Sequence, residues 1–168
     1  LNVVGEDNET LTSASMYAYG VGGDIAGTYA SCINLGVFDD AIRYGGFQQG
    51  TYRLYVSVEG YAPLQQDVQV YGGINEATVY MQRPANLSGT VSMSDGGDVG
   101  DNLCVRLYPS HLDANSADLF TYTDGTYSVG GIAPGEKVFE VVSYDSSIGD
   151  YRVRYSTTIY MSVGDNHL

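Results

Sequence analysis

The sequence predicts an all-β protein made of two tandem seven-stranded β-sandwiches, the second lacking its own last strand. Three observations predict it. The chain repeats itself: Gly45-Gly46-Phe47-Gln48-Gln49-Gly50-Thr51-Tyr52, followed by Leu54, Val56 and Val58, returns as Gly130-Gly131-Ile132-Ala133-Pro134-Gly135-Glu136-Lys137, followed by Phe139 and Val141. The composition has 22 glycines, 16 tyrosines and 4 prolines with no long 3.6-period apolar stretch, which favours strands over helices. The apolar runs are short and separated by turn signals at regular spacing, as in a sandwich rather than a helix-crossed sheet.

Each predicted strand follows from its own residues. In the first half, strands are expected at 1–4, 13–19, 29–35, 41–44, 51–58, 66–71 and 77–81. Alternation is clearest in Tyr52, Leu54, Val56 and Val58, which places these four side chains on one face. The turns between them are Gly22-Gly23-Asp24, Asp39-Asp40, Gly45-Gly46, Glu59-Gly60 and Gly72-Gly73, all residue types that turns favour. The second half gives strands at 87–93, 103–108, 119–123, 126–129, 137–143 and 152–163. Gln82-Arg83-Pro84-Ala85 marks the boundary, because proline interrupts strand-like sequence there. The expected domains are therefore 1–83 and 84–168. Each is near the lower size for a self-sufficient core.

A strand ending in Gly-Gly-Phe, two residues, then Gly50-Thr51-Tyr52 with alternating apolar residues and Gly60-Tyr61 resembles the signature of carboxypeptidase regulatory-like domains. These group with the transthyretin-like and collagen-adhesin B-type sandwiches. The second copy keeps the turn and replaces Thr51-Tyr52 by Glu136-Lys137. The resemblance implies Greek-key, transthyretin- or immunoglobulin-like sandwiches used as spacers, stalks, adhesins or fibre modules outside cells. Some collagen-adhesin B-type domains carry an internal Lys–Asn isopeptide bond that needs a lysine on an early strand. The single lysine here, Lys137, starts a late strand, so that cross-link is not expected.

Charge narrows the partners. The net charge of −13 reflects only 7 Lys plus Arg against 20 acids, so no basic face for nucleic acid or anionic lipid is expected. No apolar run reaches the length of a membrane span, and no membrane insertion is expected. Leu1 in place of an initiator methionine fits a processed, exported product and equally an excised piece. The expected location is extracellular or at the cell surface. Asn8-Glu9-Thr10 and Asn86-Leu87-Ser88 are N-glycosylation sequons, making Asn8 and Asn86 the candidate glycosylated residues. Cys32 and Cys104 fall one in each half, which leaves open a bridge between domains or between subunits. Two buried thiols are the plainer reading.

Catalytic patterns are missing. His111 and His167 lack zinc spacing, no nucleophile elbow or phosphate loop appears, and nothing selects a carboxylate pair among the acids. No enzyme is expected, and no cofactor beyond a weak calcium candidate at Asp95, Asp98, Asp101 and Asn102. Alternating oxygen donors in a glycine-rich loop suit a hard cation, yet the EF-hand spacing is not met. A solvated hairpin is the plainer reading. Tyrosines on strands suit a half-buried pleated surface; exposed, they stack on sugars. Tyr17, Tyr19, Tyr44, Tyr55, Tyr71 and Tyr80 form no cluster in sequence.

The function follows from the repeat. In the first half, residues 74–81 after Gly72-Gly73 supply a last strand. In the second, Thr158-Ile159-Tyr160-Met161 reaches Gly164-Asp165-Asn166, and only His167 and Leu168 remain. An unpaired sheet edge invites another strand. The expectation is a non-catalytic subunit of an extracellular fibre or pilus-like filament, a homopolymer assembled head to tail by β-strand donation. Leu1, Asn2, Val3 and Val4 would donate, beside Ile159, Met161 and Val163. Such a contact does not close on itself. Two plainer readings stand against it: that 151–163 finishes the sheet internally, and that 1–4 belongs in its own sandwich. The alternative function is a cell-surface spacer or a carbohydrate-binding accessory module, with glycans as partners.

Overall fold

The structure, a computed structural model, describes residues 1–30, 33–94, 103–109, 118–120 and 125–168. Among the described residues the protein is all-β apart from one 3-10 turn, Gly23–Ile25. It divides into two units, Leu1–Arg83 and Pro84–Leu168.

The first unit holds β1 (Asn2–Val4), β2 (Ser15–Gly22), β3 (Ile33–Phe38), β4 (Ala41–Gly45), β5 (Gly50–Ser57), β6 (Leu64–Val70) and β7 (Thr78–Tyr80). One sheet runs β2–β5–β6, all antiparallel. Facing it, β1 pairs in parallel with β7, and β3 pairs with β4. Hydrogen bonds from the Ile42 amide to the Leu1 carbonyl and from the Leu1 amine to the Ile42 carbonyl, both 2.9 Å, join those two pairs. The period-two alternation of β5 buries Tyr52, Leu54 and Val56 against Val3, Ala18, Ile42, Val79 and Met81. Removing about that many apolar side chains from water is the main stabilising term of so small a sandwich.

The third strand is shifted from its predicted place. Asp39 and Asp40 both take left-handed conformations, φ 49° and 60°, and make a two-residue hairpin turn that sets Phe38 opposite Ala41. That turn carries the strand on to Phe38. Tyr29 instead bridges Tyr19 at the edge of β2.

The second unit holds β8 (Ala85–Thr90), β9 (Leu103–Pro109), β10 (Asp118–Phe120), β11 (Thr126–Ile132), β12 (Gly135–Asp145), β13 (Asp150–Met161) and β14 (Gly164–His167). Its sheets run β10–β9–β12–β13 and β11–β8–β14. The order of strands matches the first unit except that the third strand lies in the opposite sheet. Ala85, Leu87, Val105, Tyr127, Phe139, Val141 and Met161 form the core.

Two expectations are corrected here. The second unit does have a last strand: β14 pairs in parallel with β8, Gly164 against Ala85 through His167 against Ser88. Gly-Asp-Asn-His carries no apolar alternation, so nothing in its composition announces a strand. Side chains hold it instead. Asn166 Nδ2 donates to the carbonyls of Ser162 (2.8 Å), Gly164 (3.0 Å) and Asn86 (3.1 Å), and its Oδ1 accepts from the Ser162 amide. Nor are Leu1, Asn2, Val3 and Val4 a spare strand. They are paired at home with β7 and β4, and Val3 is 1% exposed, so donating them would strip the core of their own unit.

Candidate functional site

Among the predicted assembly residues, Met161 is fully buried in the second core, Ile159 is packed against it and Val163 is exposed. They are core and rim of the second unit, whereas residues 1–4 belong to the first. Asn8 sits exposed in a turn at φ 60°. Asn86 is exposed on β8, but its Nδ2 donates to Asp165 Oδ1 at 2.9 Å. Asp95, Asp98, Asp101, Asn102, His111 and Cys32 lie outside the described residues; Cys104 is half-buried on β9. Among the described residues no group of three or more His, Cys, Asp or Glu could hold a metal ion, and no helix is long and apolar enough to cross a membrane. His167 Nδ1 meets Ser88 Oγ at 2.7 Å, a contact across the parallel register that ties β14 to β8.

What the fold does present is an uncovered sheet edge. Every residue of β3 is exposed, and Ile33, Leu35, Val37 and Phe38 keep 46–65% of their surface in contact with solvent. One edge of β3 bonds β4; among the described residues the other has no partner strand. Ile-Asn-Leu-Gly-Val-Phe carries no lysine, proline or inward charge, the common protections of a sheet edge; its one such device is the register shift between Asn34 and Gly36, where the Gly36 amide donates to Asn34 Oδ1 at 2.8 Å.

The tyrosines form a second surface that the sequence does not reveal. Tyr17 and Tyr55 are register partners on β2 and β5, and their rings stack at 4.4 Å with planes 6° apart. In the next row Tyr19 faces Arg53, which makes a two-pronged ion pair with Asp67, and Tyr29 packs edge-on against Tyr19 at 5.1 Å. Residues separated by dozens of positions meet because neighbouring strands put every second side chain on one face. Tyr44, Tyr71 and Tyr80 lie elsewhere.

Among the described residues of the second unit, the buried charged side chains are Glu140 and Lys137. Arg106 on β9 and Glu140 on β12 stand opposite in register and form an ion pair at 2.8 Å, with side chains 15% and 9% exposed. Tyr108 donates to the other Glu140 oxygen at 3.1 Å. Burial, and then this hydrogen bond, push the Tyr108 hydroxyl pKa up. Lys137 is the other group, 5% exposed. It occupies the place of Tyr52, so the change from Thr51-Tyr52 to Glu136-Lys137 is the sequence signal for a lysine at a core position.

Burial pushes the Lys137 ammonium below its ordinary pKa, and the four ion pairs of the described residues all belong to arginines. Between the lowered folded pKa and the ordinary value the unfolded chain binds the extra proton. Stability therefore rises with pH across that window, and the burial cost is fully present below it. Lys137→Met is expected to raise stability at pH 7 by about 1–3 kcal/mol. The gain should shrink toward pH 10, as read from urea midpoints of both proteins at each pH. A gain independent of pH would show that the lysine keeps its ordinary pKa in the fold, its charge paired or reached by water.

No protein-family model matches the chain, and no curated protein matches it. Among solved structures it is similar to a streptococcal ancillary pilin (16% identity over 99% of this chain and 60% of that one, TM-score 0.40). It is also similar to the Bacillus anthracis TIE protein (13% identity, 99% of this chain and 31% of that one, TM-score 0.38). A third is a minor pilin of Streptococcus agalactiae (10% identity, 100% and 92%, TM-score 0.39). The chain spans 60% and 31% of the first two. At these scores the likeness carries no argument about function.

Proposed function

We propose that this chain is a non-catalytic structural subunit of an extracellular, pilus-like fibre that assembles with copies of itself. The observation that carries the reading is the outer edge of β3, a run of exposed apolar residues that has, among the described residues, no partner strand and no lysine, proline or charge of its own. Such an edge gains a ladder of hydrogen bonds and buries apolar surface when another strand meets it. The donation of residues 1–4 is not part of the reading, because β1 is occupied at home. Leu35→Lys supplies the missing edge charge at an exposed position. It should change monomer stability by less than about 0.5 kcal/mol while abolishing large particles in sedimentation and filaments in negative stain. Wild-type protein that stays monomeric at every concentration would overturn the proposal.

The tyrosine face favours a second reading, a carbohydrate-binding module. Exposed rings beside an Arg–Asp pair offer both the apolar and the hydrogen-bonding contacts a sugar needs. A glycan array separates the two: saturable binding by a monomer, lost in Tyr17→Ala, supports the module.

A further inference from the structure

The outer edge of β3 presents main-chain groups as well as apolar side chains. The Ile42 amide and carbonyl both bond Leu1, and Ile42 is the register partner of Val37. In an antiparallel pair, a residue that turns its main-chain groups away from its partner has a partner that turns away too. The Val37 amide and carbonyl therefore point outward from β3, to the edge that has no partner strand among the described residues. Leu1 lies on the other flank of β4.

The second unit has an open edge of its own. β13, 12 residues long, is the outer strand of the four-stranded sheet; β12 takes one edge, and among the described residues the other has no partner strand. Its first half carries the usual protections of an edge, namely Arg152, Arg154 and the register shift opposite Val141 and Val142. The second half carries none. Ser156-Thr157-Thr158-Ile159-Tyr160 has no charge, no proline and no register shift, and its β-branched and aromatic residues suit a strand. β14 lies in the opposite sheet, away from this edge.

Charge sets the direction in which two such edges meet. Each copy carries a net −13, so copies repel unless the contact between them supplies its own opposite charges. Asp39-Asp40 follows β3 directly, and Arg152 and Arg154 stand in the first half of β13. Asp39 pairs with Arg43 and Arg152 with Asp145, whereas Asp40 and Arg154 have no ion-pair partner among the described residues. Arg154 Nε donates to the Ser143 hydroxyl at 2.8 Å. Antiparallel alignment lays the six residues of β3 along the unprotected half of β13 and brings Asp40 beside Arg154. Parallel alignment separates those two charges and sets Arg154 against Ile33, in a ladder that is also less stable per residue.

We infer that the outer edge of β3 in one copy pairs antiparallel with the second half of β13 in a second copy, with Asp40 beside Arg154. The inference rests on the self-assembly reading and names the surface that meets β3. Val37 supplies main-chain bonds to the new ladder, and exposed Ile33, Leu35 and Val37 gain cover from the incoming strand. The two surfaces are different, so the contact is heterologous. Each added copy brings a fresh edge of the other kind, which extends a row of copies instead of closing a two-fold dimer.

The test blocks one edge at a time in the whole chain. Leu35→Lys blocks β3 and leaves β13 free; Thr158→Lys blocks β13 and leaves β3 free. Both positions are exposed, and the monomer Tm of each variant should match that of the wild type. Neither variant should assemble alone. Their equal mixture should form a one-to-one heterodimer in sedimentation and go no further, since one usable edge of each kind remains. Exchange protection should appear there at the Val37 amide of the Thr158→Lys chain. Arg154→Glu should raise the concentration needed for assembly by about tenfold, by setting like charge against Asp40. Adding Asp40→Asn, which tolerates the left-handed turn, should recover most of that loss. Thr158→Lys that assembles as the wild type does, or a mixture that stays monomeric, overturns the inference and leaves self-assembly through β3 standing. Arg154→Glu that assembles at the wild-type concentration overturns the antiparallel pairing. Wild-type protein that never assembles sinks the self-assembly reading itself, and this contact with it.

Discussion

Glu140→Ala should destabilise the second unit by about 3–5 kcal/mol, because it leaves the Arg106 guanidinium buried without its counter-charge. The geometry supports the size. Arg106 approaches Glu140 Oε2 through both Nε (3.0 Å) and a terminal nitrogen (2.8 Å), while Tyr108 (3.1 Å) and Ser156 (3.5 Å) reach Oε1. Removing the carboxylate therefore strands one charge and two hydroxyls. Glu140→Gln should cost less, since the amide oxygen still accepts. Arg106→Met with Glu140→Leu should recover most of the loss, because well-packed apolar residues often replace a buried pair at little or no cost. Urea unfolding of the four proteins, followed on the whole chain, checks the series. A loss below about 1 kcal/mol for Glu140→Ala would mean that water screens the pair as it does a surface ion pair.

The strands that carry their own alternation were legible, and those that borrow order from neighbours were not. Tyr52, Leu54 and Val56 announce β5 because a strand buried on one face must write that face in every second residue. The sandwich class follows from such runs and the turns between them. β14 is invisible for the opposite reason: its order resides in Asn166, Asp165 and His167 bonding Ser162, Asn86 and Ser88, contacts that no local pattern records. β3 lies later than its residues suggest because the left-handed pair Asp39-Asp40 sets its end, and an exposed edge strand shows no burial rhythm. The tyrosine face is a product of register. Tyr17 and Tyr55 become neighbours only once β2 lies on β5, which a one-residue slip would undo.

Val3→Asp decides between the two roles a sequence reading leaves for the N-terminal strand. Val3 pairs with Val79 in the parallel register, and both are essentially without solvent contact, at 1% and 0% exposure. A carboxylate at this position is desolvated among the apolar side chains of Ala18, Ile42, Leu54, Val56 and Met81. The expected loss is about 4 kcal/mol or more, enough to unfold a unit of this size at room temperature. It should appear in the monomer as loss of the cooperative transition assigned to the first unit. Loss of exchange protection at Asn2, Ile42 and Met81 would accompany it, since their amides bond across β1. A spare donor strand behaves differently: Val3→Asp would leave monomer stability within about 0.5 kcal/mol of wild type and abolish assembly alone. That second outcome would restore strand donation by residues 1–4 and require β1 to leave β7 when copies meet.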